Sequence, residues 1–475
     1  MCCVEFTPMG YRYEYDTLGE MKVPADALYG AQTARAVQNF PISGLRFQRP
    51  FIKALGLIKY AAAEANMKLG LLDRRIGEAV SKAALEVAEG LHDEEFVVDV
   101  FQTGSGTSTN MNANEVIANR ALEILGEKRG DKKVVHPNDH VNMGQSTNDV
   151  IPTAINVSAA ILMKEKLIPA LERLERELAK KAEEYRDVVK AGRTHFQDAV
   201  PLTLGQEFSG YSTMIRKGRR RVLNAFESLL EVPIGGTAVG TGLNTHPEFG
   251  RLVVEKLREK TGIDFRLAEN RFEAMGSRDC CLEASAAMRS LAVSLLKICE
   301  DLRILSSGPN TGINEIELPA VQPGSSIMPG KVNPVIVESA MLAAAQVIGY
   351  DKAIEEACKL GELELNMGFP LIAYDLVQAI EILSNTCDNL ASKCIAGIRV
   401  NVERARKLAE SSPALVTAVA PYIGYDAAAK VAKKMLAENK SIKDVLVEEA
   451  VMKPDEVEKV LDLLKMAKGG IIGKT

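Results

Sequence analysis

The stretch MRSLAVSLLKICEDLRIL, residues 288–305, carries the clearest structural signal in the sequence. Its apolar positions follow one another at alternating intervals of three and four residues; they are Met288, Leu291, Leu295, Ile298, Leu302 and Leu305. This spacing places the six side chains on one face of a helix over nearly three heptads. The stretch therefore predicts a long amphipathic helix whose apolar seam packs against other helices.

Other long helical patterns lie on both sides of this seam. Apolar periodicity predicts helices over 152–188, 203–231, 333–358 and 370–398. All are much longer than the average helix of about 11–12 residues, and such lengths indicate a bundle of long helices. Beyond residue 400 the patterns shorten, and they predict helices over 401–410, 413–420, 425–438, 441–450 and 454–467.

These patterns predict a mainly α fold in three parts. Residues 1–144 form a mixed, mostly helical N-terminal domain, because turn residues and shorter helical runs alternate there. Residues 145–401 form the central bundle of long helices, which we expect to be the core of an oligomer. Residues 402–475 form a small helical C-terminal domain.

The composition excludes several classes of protein. The 475 residues are 47% apolar and 25% charged, which is typical of a globular protein and not of a disordered one. With 58 basic against 63 acidic residues and 5% aromatics, the chain lacks the basic excess of a nucleic-acid-binding protein. No apolar run is long enough to span a membrane, and the first residues show no leader pattern. We expect a soluble cytoplasmic protein that binds neither nucleic acid nor membrane.

No known metal or nucleotide motif is present. The eight cysteines show no zinc-ligand spacing, and we expect them to be reduced and mostly buried. His136 and His140 are four residues apart, but the intervening Pro137 argues against a helical zinc site. Phosphate-loop and dinucleotide-binding patterns also fail. We therefore predict no metal and no cofactor.

Five polar segments that contain glycine lie at the ends of the predicted helices: Gly104–Asn114, His136–Asp149, Gly192–Gln206, Ile234–Asn244 and Pro323–Pro334. Backbone amides and hydroxyls at a helix N-terminus favour bound anions. Each segment alone is equally typical of helix caps and turns. The last one adds a lysine to its two serines, and its small residues suit a loop that closes over a substrate.

That last segment also carries a family resemblance. The pattern Gly324-Ser-x-x-Met-Pro-x-Lys-x-Asn333 resembles the signature of the fumarase/aspartase superfamily, whose members add or eliminate groups across fumarate. Further segments are similar in order and approximate spacing over nearly the whole chain: Gly104–Thr107, Asn110–Asn112, His136–Asp139, Ser146–Asn148, Gly192–His195 and Gly235–Asn244. The resemblance implies a lyase with a long helical bundle and a small dicarboxylate substrate.

Within the superfamily the chain is most similar to class II fumarases, through Tyr15–Glu20, Gly30–Thr33, Phe101–Thr103 and Ile234–Phe249. This branch hydrates fumarate to L-malate in the tricarboxylic acid cycle. Two segments instead resemble aspartases, which release ammonia from L-aspartate: Ser146–Asn148, with Thr147 in place of a second serine, and Leu302–Gly308. Leu365–Pro370 departs from both branches. The resemblance thus favours a fumarase and leaves an aspartase as the alternative.

The resemblance also implies roles for individual residues. Ser325 would be the base that removes the C3 proton, and His195, oriented by Glu338, would be the acid/base partner that handles water. Substrate binding would fall to Ser105, Gly106, Thr107, Ser146, Thr147, Asn148, Thr194, Ser326, Lys331 and Asn333. A second anion site would be formed by His136, Asn138 and Asp139, for which helix capping is an equally open interpretation.

The family's members are homotetramers in which each active site draws on three chains, and we expect the same here. The apolar seam at 288–305 is consistent with a shared helical core. A remote alternative is a non-catalytic structural protein built on the same bundle. Such a protein would be expected to lack Ser325, Lys331 or His195, and all three are present.

Overall fold

The computed structural model describes residues 10–472 and shows a mainly α protein, as predicted. The helices are α1 Ala31–Asn39, α2 Arg49–Lys68, α3 Arg74–Glu89, α4 Thr107–Ile124, α5 Thr147–Leu162, α6 Ile168–Glu184, α7 Leu204–Ser228, α8 Phe249–Thr261, α9 Arg271–Gly276, α10 Asp279–Leu305, α11 Val335–Cys358, α12 Phe369–Lys393, α13 Val402–Ser411, α14 Val416–Ile423, α15 Tyr425–Glu438, α16 Ile442–Glu448, α17 Pro454–Val460 and α18 Leu463–Ala467.

The strands are short and form two-stranded sheets. They are β1 Tyr11–Asp16, β2 Gly19–Pro24, β3 Val189–Thr194, β4 Gln197–Thr203, β5 Glu231–Val232, β6 Arg266–Leu267, β7 Ile316–Glu317, β8 Gly361–Glu362, β9 Leu365–Asn366 and β10 Arg399–Val400. The pairs β1–β2, β3–β4, β7–β10 and β8–β9 are antiparallel, and β5–β6 is parallel. The largest of them is the β3–β4 hairpin, which the sequence did not predict.

Helix α10 confirms the prediction made from residues 288–305. Its seam is fully buried from Met288 to Leu302, and Leu305 is 4% exposed. This burial occurs within the single chain, so the seam needs no partner chain to cover it. The apolar side chains left exposed lie elsewhere, for example Val293 on α10 and Leu342 on α11.

Two predicted helices are interrupted. The segment 152–188 is not one α-helix, because a π-helical turn at Met163–Leu167 separates α5 from α6. The segment 454–467 breaks at Leu461 and Asp462, where Asp462 caps α18 by accepting a hydrogen bond from the Lys465 amide. In both places the apolar periodicity continues through the break, so hydropathy alone does not locate it.

The chain forms two compact units. The first comprises the described part of Met1–Pro169 with Arg220–Ser290 and Ala345–Leu383; the second comprises Ala170–Arg219, Leu291–Ala344 and the described part of Ser384–Thr475. In the first unit Asp351 of α11 accepts from Ser285 and Arg289 of α10, both at 2.7 Å. The three segments predicted from the sequence, 1–144, 145–401 and 402–475, remain a prediction.

In the second unit, polar contacts tie the long helices together. Arg219 of α7 pairs with Glu175 of α6 at 3.0 Å, and the Tyr211 hydroxyl donates to Asp301 of α10 at 2.7 Å. The C-terminal helices of this unit share a small apolar core: Leu415, Val419, Val431, Met435, Ile442, Val445, Leu446, Val457 and Leu461.

Between residues 10 and 472, no helix is both long and apolar enough to cross a membrane. Six cysteines fall in the same range, all with free thiols: Cys280, Cys281, Cys299, Cys358, Cys387 and Cys394. Cys2 and Cys3 lie outside the described residues.

Candidate active site

The loop with the signature motif, residues 324–333, closes on itself in the second unit. The Gly324 amide donates to the Lys331 carbonyl at 2.9 Å, and the Asn333 side chain donates to the Gly324 carbonyl at 2.7 Å. A Cβ atom at Gly324 would lie 2.6 Å from the Lys331 carbonyl oxygen, so this neck requires glycine. Asn333 therefore holds the loop shut at its base, while Ser326 and Lys331 are exposed along it.

Ser325 accepts hydrogen bonds from two backbone amides of this loop. Its Oγ accepts hydrogen bonds from the backbone amides of Met328, at 2.9 Å, and Ile327, at 3.2 Å. Amides that converge on one oxygen stabilise negative charge there. A serine hydroxyl is normally a poor base, and these two donors favour the alkoxide that a serine base requires.

His195 lies at the tip of the β3–β4 hairpin. The hairpin register places His195 and Phe196 as the two turn residues, and both have positive φ, 54° and 57°. Two-residue turns with this backbone usually contain Asn-Gly, because bulky side chains are strained at positive φ. A histidine and a phenylalanine in such a turn indicate that the surrounding structure imposes it.

Buried charges hold the hairpin in place. Glu315 is fully buried and accepts two hydrogen bonds from Arg193, at 3.0 and 3.1 Å. Lys190, also buried, lies 3.4 Å from the same carboxylate and 3.1 Å from Glu207. Gly192 permits a bulge in the hairpin, since a side chain there would collide with the Val200 carbonyl. The histidine is thus carried on a rigid support.

A cavity of about 570 Å³ opens beside this turn. Thr194 and His195 line it on one side, and Lys297, Glu300 and Asp301 of α10 line it on another. Thr194 and His195 are both exposed, so the imidazole is free to meet a ligand. The cavity is large enough for a small molecule of a few carbon atoms.

Glu338, expected to orient His195, lies in the first turn of α11 and is exposed. Among the described residues, no hydrogen bond or ion pair joins Glu338 to His195, and none joins His195 to Ser325. The predicted catalytic residues are therefore all accessible in the second unit but are not assembled into one contact network by a single chain.

In the first unit, the segment Ser105–Thr107 forms the start of helix α4. Gly106 has φ of +79° at the N-cap, and the hydroxyls of Ser105 and Thr107 are 2.8 Å apart. A side chain at Gly106 would press on Ile151 of α5, which shows how closely the two helices approach here. The exposed Thr107 hydroxyl lies at the positive end of α4.

The segment Ser146–Asn148 forms the start of helix α5 in the same unit. Ser146 caps the helix by accepting from the Asn148 amide at 3.2 Å. Asn110 of α4 donates to the Thr147 hydroxyl at 3.0 Å, so the N-terminal turns of α4 and α5 adjoin. Asn148 in turn donates to the Ala238 carbonyl at 2.8 Å. Two helix N-termini lined with hydroxyls and amides make a suitable carboxylate site.

A buried carboxylate, which sequence reasoning did not assign to the site, supports this arrangement. Asp149 is fully buried and accepts from the Ser146 amide at 2.9 Å and from the amides of Gly235, at 3.0 Å, and Thr237, at 2.9 Å. It thereby fixes the start of α5 to the 234–244 segment. Its place in a Ser-x-x-Asp capping box was the available signal.

Lys59 of α2 faces the same region. It is fully buried and donates to Asn142 at 2.8 Å and Gln145 at 3.0 Å. Burial lowers the pKa of Lys59 to about 7, with the charge of Asp149 acting in the opposite direction. Burial likewise raises the pKa of Asp149 to about 6, although its three amide donors and Lys59 oppose this.

Replacing Asp149 by asparagine is expected to lower the free energy of unfolding by about 2–3 kcal/mol at pH 8. One amide oxygen cannot accept all three backbone donors, so at least one buried backbone amide loses its partner. Urea titration followed by circular dichroism measures the effect, with Asp187→Asn as the control because the Asp187 side chain is 62% exposed. Equal stability of the two variants would contradict the proposed linkage.

The predicted second anion site has a structural role. His136 caps the π-helical segment Pro137–Val141, because its Nδ1 accepts from the amides of Asn138, at 3.1 Å, and Asp139, at 3.2 Å. The Asp139 carboxylate lies 3.5 Å from the same nitrogen. The capping interpretation of His136 therefore describes its contacts, and a role in anion binding remains a prediction.

Comparison with known proteins agrees with this geometry. The sequence profile of the lyase family matches residues 19–349, and the profile named fumarase C C-terminus matches residues 415–468. The chain is 48% identical over 461 residues to the class II fumarate hydratase of Xylella fastidiosa strain Temecula1, covering 97% of this chain and 96% of that one. It is 51% identical over 462 residues to the Halobacterium salinarum class II fumarate hydratase, covering 97% and 98%.

A solved structure shares the fold. The crystal structure of class II fumarase from Schistosoma mansoni superposes with a TM-score of 0.93 at 37% identity, covering 96% of this chain and 99% of that one. The resemblance stated from the motifs is thus confirmed over almost the entire sequence. The chain belongs to the class II fumarate hydratase family of lyases.

Proposed function

We propose that the chain catalyses the reversible hydration of fumarate to L-malate, without a cofactor. Membership of a lyase family that acts on small dicarboxylates supports the reaction class. The observation that carries the mechanism is the pair of backbone amides on the Ser325 hydroxyl. They supply what a serine base needs, on a loop that also contains a lysine.

The difficult step is the removal of a proton from the carbon next to a carboxylate, because that C–H bond is only weakly acidic. In the dehydration direction a base removes the C3 proton of malate, and the adjacent carboxylate becomes a doubly negative aci-carboxylate. Hydroxide then leaves from C2 with the help of an acid. Stabilising the extra negative charge is the largest requirement, and fixed donors and cations do so best.

In this proposal Ser325 is the base and the signature loop is its scaffold. The amides of Ile327 and Met328 stabilise the alkoxide before the proton is removed. Lys331 is exposed on the same loop and binds the carboxylate whose charge increases. Asn333, which closes the neck of the loop, acts with Lys331 on that carboxylate.

The other proposed substrate-binding residues bind the second carboxylate of the substrate and the reacting water. The helix starts at Thr107 and Thr147 offer hydroxyls and free amides for an anion. The proposed set is Ser105, Gly106, Thr107, Ser146, Thr147, Asn148, Thr194 and Ser326. All of them except Gly106 and Thr147, which are buried, are at least partly exposed, and this exposure supports the assignment.

His195 is the acid/base partner that handles water, and Glu338 orients it. The exposed imidazole on a strained and rigidly held turn supports this role, because such strain persists where function requires it. A carboxylate beside the ring would fix its tautomer and its orientation. Since no described contact joins the two residues, we propose that Glu338 reaches His195 only in the assembled oligomer.

We accordingly propose a homotetramer with active sites shared between chains. His195 and Glu338 are exposed and Ser325 is partly exposed, with no described contact among the three, and this supports the proposal. The seam of α10 does not support it, because one chain already buries that seam. Sedimentation as a fully active monomer would contradict the proposal. The cytoplasmic location expected from the sequence remains a prediction.

The alternative of an aspartase came from the resemblance of Ser146–Asn148 and Leu302–Gly308 to that branch, and two places in the first unit bear on the choice of substrate. The Thr147 hydroxyl accepts from Asn110, a contact that a serine would make equally well, so Thr147 does not distinguish ammonia from water. Met367 packs against Gly104, which precedes Ser105. The segment Leu365–Pro370, which departs from both branches, therefore lies next to the candidate site. This segment is a place where substrate preference could differ from that of relatives.

An absorbance assay for fumarate is expected to show activity with L-malate and none with L-aspartate. The relatives named above are fumarate hydratases, and the proposed role of His195 on the hairpin is to transfer a proton to or from water. Both substrates should be supplied at equal concentration to the same preparation. Activity with aspartate alone would instead establish the aspartase, and inactivity with both would favour the structural protein.

A further inference from the structure

A chain of hydrogen bonds in the first unit ends at the Thr147 hydroxyl. Asn110 of α4 is 1% exposed, and its side-chain nitrogen donates to the Thr147 Oγ1 at 3.0 Å and to the Asn142 Oδ1 at 3.3 Å. Lys59 of α2, which is fully buried, donates to the same Asn142 oxygen at 2.8 Å. We refer to Lys59, Asn142, Asn110 and Thr147 as the amide chain.

The orientation of the Asn142 side chain is fixed at both of its ends. Its nitrogen donates to the Gln145 carbonyl at 3.1 Å, and a carbonyl oxygen can only accept. Its oxygen accepts from Lys59, whose amino group also donates to the Gln145 side chain at 3.0 Å. A reversed Asn142 amide would place oxygen against oxygen at one end and donor against donor at the other. Asn142 therefore presents an acceptor to Asn110.

The orientation of the Asn110 amide follows from that of Asn142. If the Asn110 amide were reversed, its oxygen would lie 3.3 Å from the Asn142 oxygen with no hydrogen between them. The nitrogen therefore occupies this position, with one hydrogen for Asn142 and one for Thr147. It does so although the Asn110 oxygen, which is also buried, has no hydrogen-bond partner among the described residues. An unpaired buried acceptor is costly, so the contacts of the nitrogen decide the orientation.

This orientation leaves the proton of the Thr147 hydroxyl available. A hydroxyl has one hydrogen to donate, and the Thr147 oxygen is already the acceptor in its contact with Asn110. Within residues 10–472, no hydrogen bond is donated by this hydroxyl. Thr147 is also the first residue of α5, and the amides at a helix N-terminus attract anions. An anion at this helix start would therefore meet the hydroxyl as a donor.

We propose that Asn110 is a positioning residue for the hydration of fumarate, because it sets the Thr147 hydroxyl to donate to a carboxylate of the substrate. The inference rests on the proposed function, in which Thr147 is among the residues that bind the substrate. A group that can only accept at position 110 would take the Thr147 proton instead. The Thr147 oxygen would then face the carboxylate, and two negative oxygens repel each other.

The first test compares two substitutions that each add one carboxylate to the amide chain. In Asn110→Asp the carboxylate can only accept, so it takes the Thr147 proton. In Asn142→Asp the carboxylate accepts from Lys59 and Asn110, as the amide oxygen does, so the direction of the hydrogen bonds persists. Both are measured at pH 8, because even the fully buried Asp149, whose pKa burial raises to about 6, is ionised there.

Asn110→Asp should raise KM for L-malate roughly 10–100-fold, the usual range for a hydrogen bond to a charged group, and should change kcat much less. Asn142→Asp should raise KM several times less. An equal rise in KM for the two variants, or a fall in kcat with KM unchanged, would overturn the proposal.

A double-mutant cycle with Thr147→Val shows whether Asn110 acts through the hydroxyl. Valine has no proton to redirect, so the rise in KM caused by Asn110→Asp should shrink roughly fivefold or more in that background. Repulsion of the substrate by the new charge, or a general structural role, would raise KM equally in both backgrounds and contradict the proposal. If Asn110→Asp does not fold, Asn110→Ala takes its place: it releases the hydroxyl and should raise KM only where Thr147 is present.

Binding of succinate, a dicarboxylate that cannot be dehydrated, separates this inference from the proposed function. Isothermal titration calorimetry on the full chain should give the weakest binding for Asn110→Asp, with Asn142→Asp closer to the unmodified chain. Absence of L-malate turnover in the unmodified chain would contradict the hydration of fumarate, and succinate would still test Asn110. Normal turnover with equal succinate affinity in all three proteins would contradict the role of Asn110 alone.

Discussion

Ser325→Ala is expected to reduce kcat for malate dehydration by roughly 10²–10⁴-fold or more. The substitution removes the oxygen on which the amides of Ile327 and Met328 converge, and no other described side chain accepts from either amide. KM should change much less, because substrate binding is assigned to Lys331, Asn333 and the helix starts. Steady-state kinetics on purified protein measures both constants.

The fold of this variant should be unaffected. The neck of the loop is closed by the Gly324–Lys331 backbone bond and by Asn333, neither of which uses the Ser325 side chain. Circular dichroism and thermal unfolding should therefore match those of the unmodified chain. Ser392→Ala is the matched control, since within residues 10–472 that exposed hydroxyl bonds only to the Asp388 carbonyl on α12. Near-normal turnover in Ser325→Ala would refute the serine-base role.

The long helices could be predicted from the sequence because their signal is local. A helix buries one face, and the three-and-four spacing from Met288 to Leu305 records that face directly. The observed helix, Asp279–Leu305, contains the whole of this stretch. The breaks at Met163–Leu167 and Leu461 change the backbone hydrogen bonding but not the spacing of the apolar side chains. The apolar periodicity therefore does not detect them.

The candidate site was predictable to the extent that its residues lie in polar segments at helix ends. Ser146 and Thr107 occupy such positions, and capping chemistry explains why. The roles of His195 and Ser325 came from the resemblance, because nothing in their neighbouring residues distinguishes them from caps. Asp149 and Glu315 were missed as supporting groups, since their partners lie far along the chain: Gly235 for Asp149 and Arg193 for Glu315.

The β3–β4 hairpin shows most clearly where sequence reasoning fails. Asparagine and glycine are the usual sequence signal for a two-residue turn, whereas this turn contains His195 and Phe196. The hairpin is held instead by Arg193 and Lys190 on the buried Glu315, more than a hundred residues away. Local preference opposes the turn and tertiary contacts impose it, which is typical of a position kept for function.

His195→Asn is therefore expected to have opposite effects on stability and activity. Asparagine tolerates positive φ better than histidine, so the free energy of unfolding should rise by about 0.5–1 kcal/mol. Loss of the imidazole should lower kcat by roughly 10²–10⁴-fold, because asparagine cannot transfer a proton. Urea titration and malate kinetics on the same preparation measure the two effects.

Phe196→Gly separates the effect of backbone strain on stability from the effect of the imidazole on activity. Glycine relieves strain at the other turn position, where φ is 57°, and keeps the histidine. The Phe196 side chain is 74% exposed, so its removal leaves no cavity in the core. This variant should gain stability and retain most of its activity, since the imidazole is still carried by the Arg193–Glu315 anchor. If His195→Asn kept normal kcat, the histidine would not be the acid/base group, and its strained turn would need another explanation.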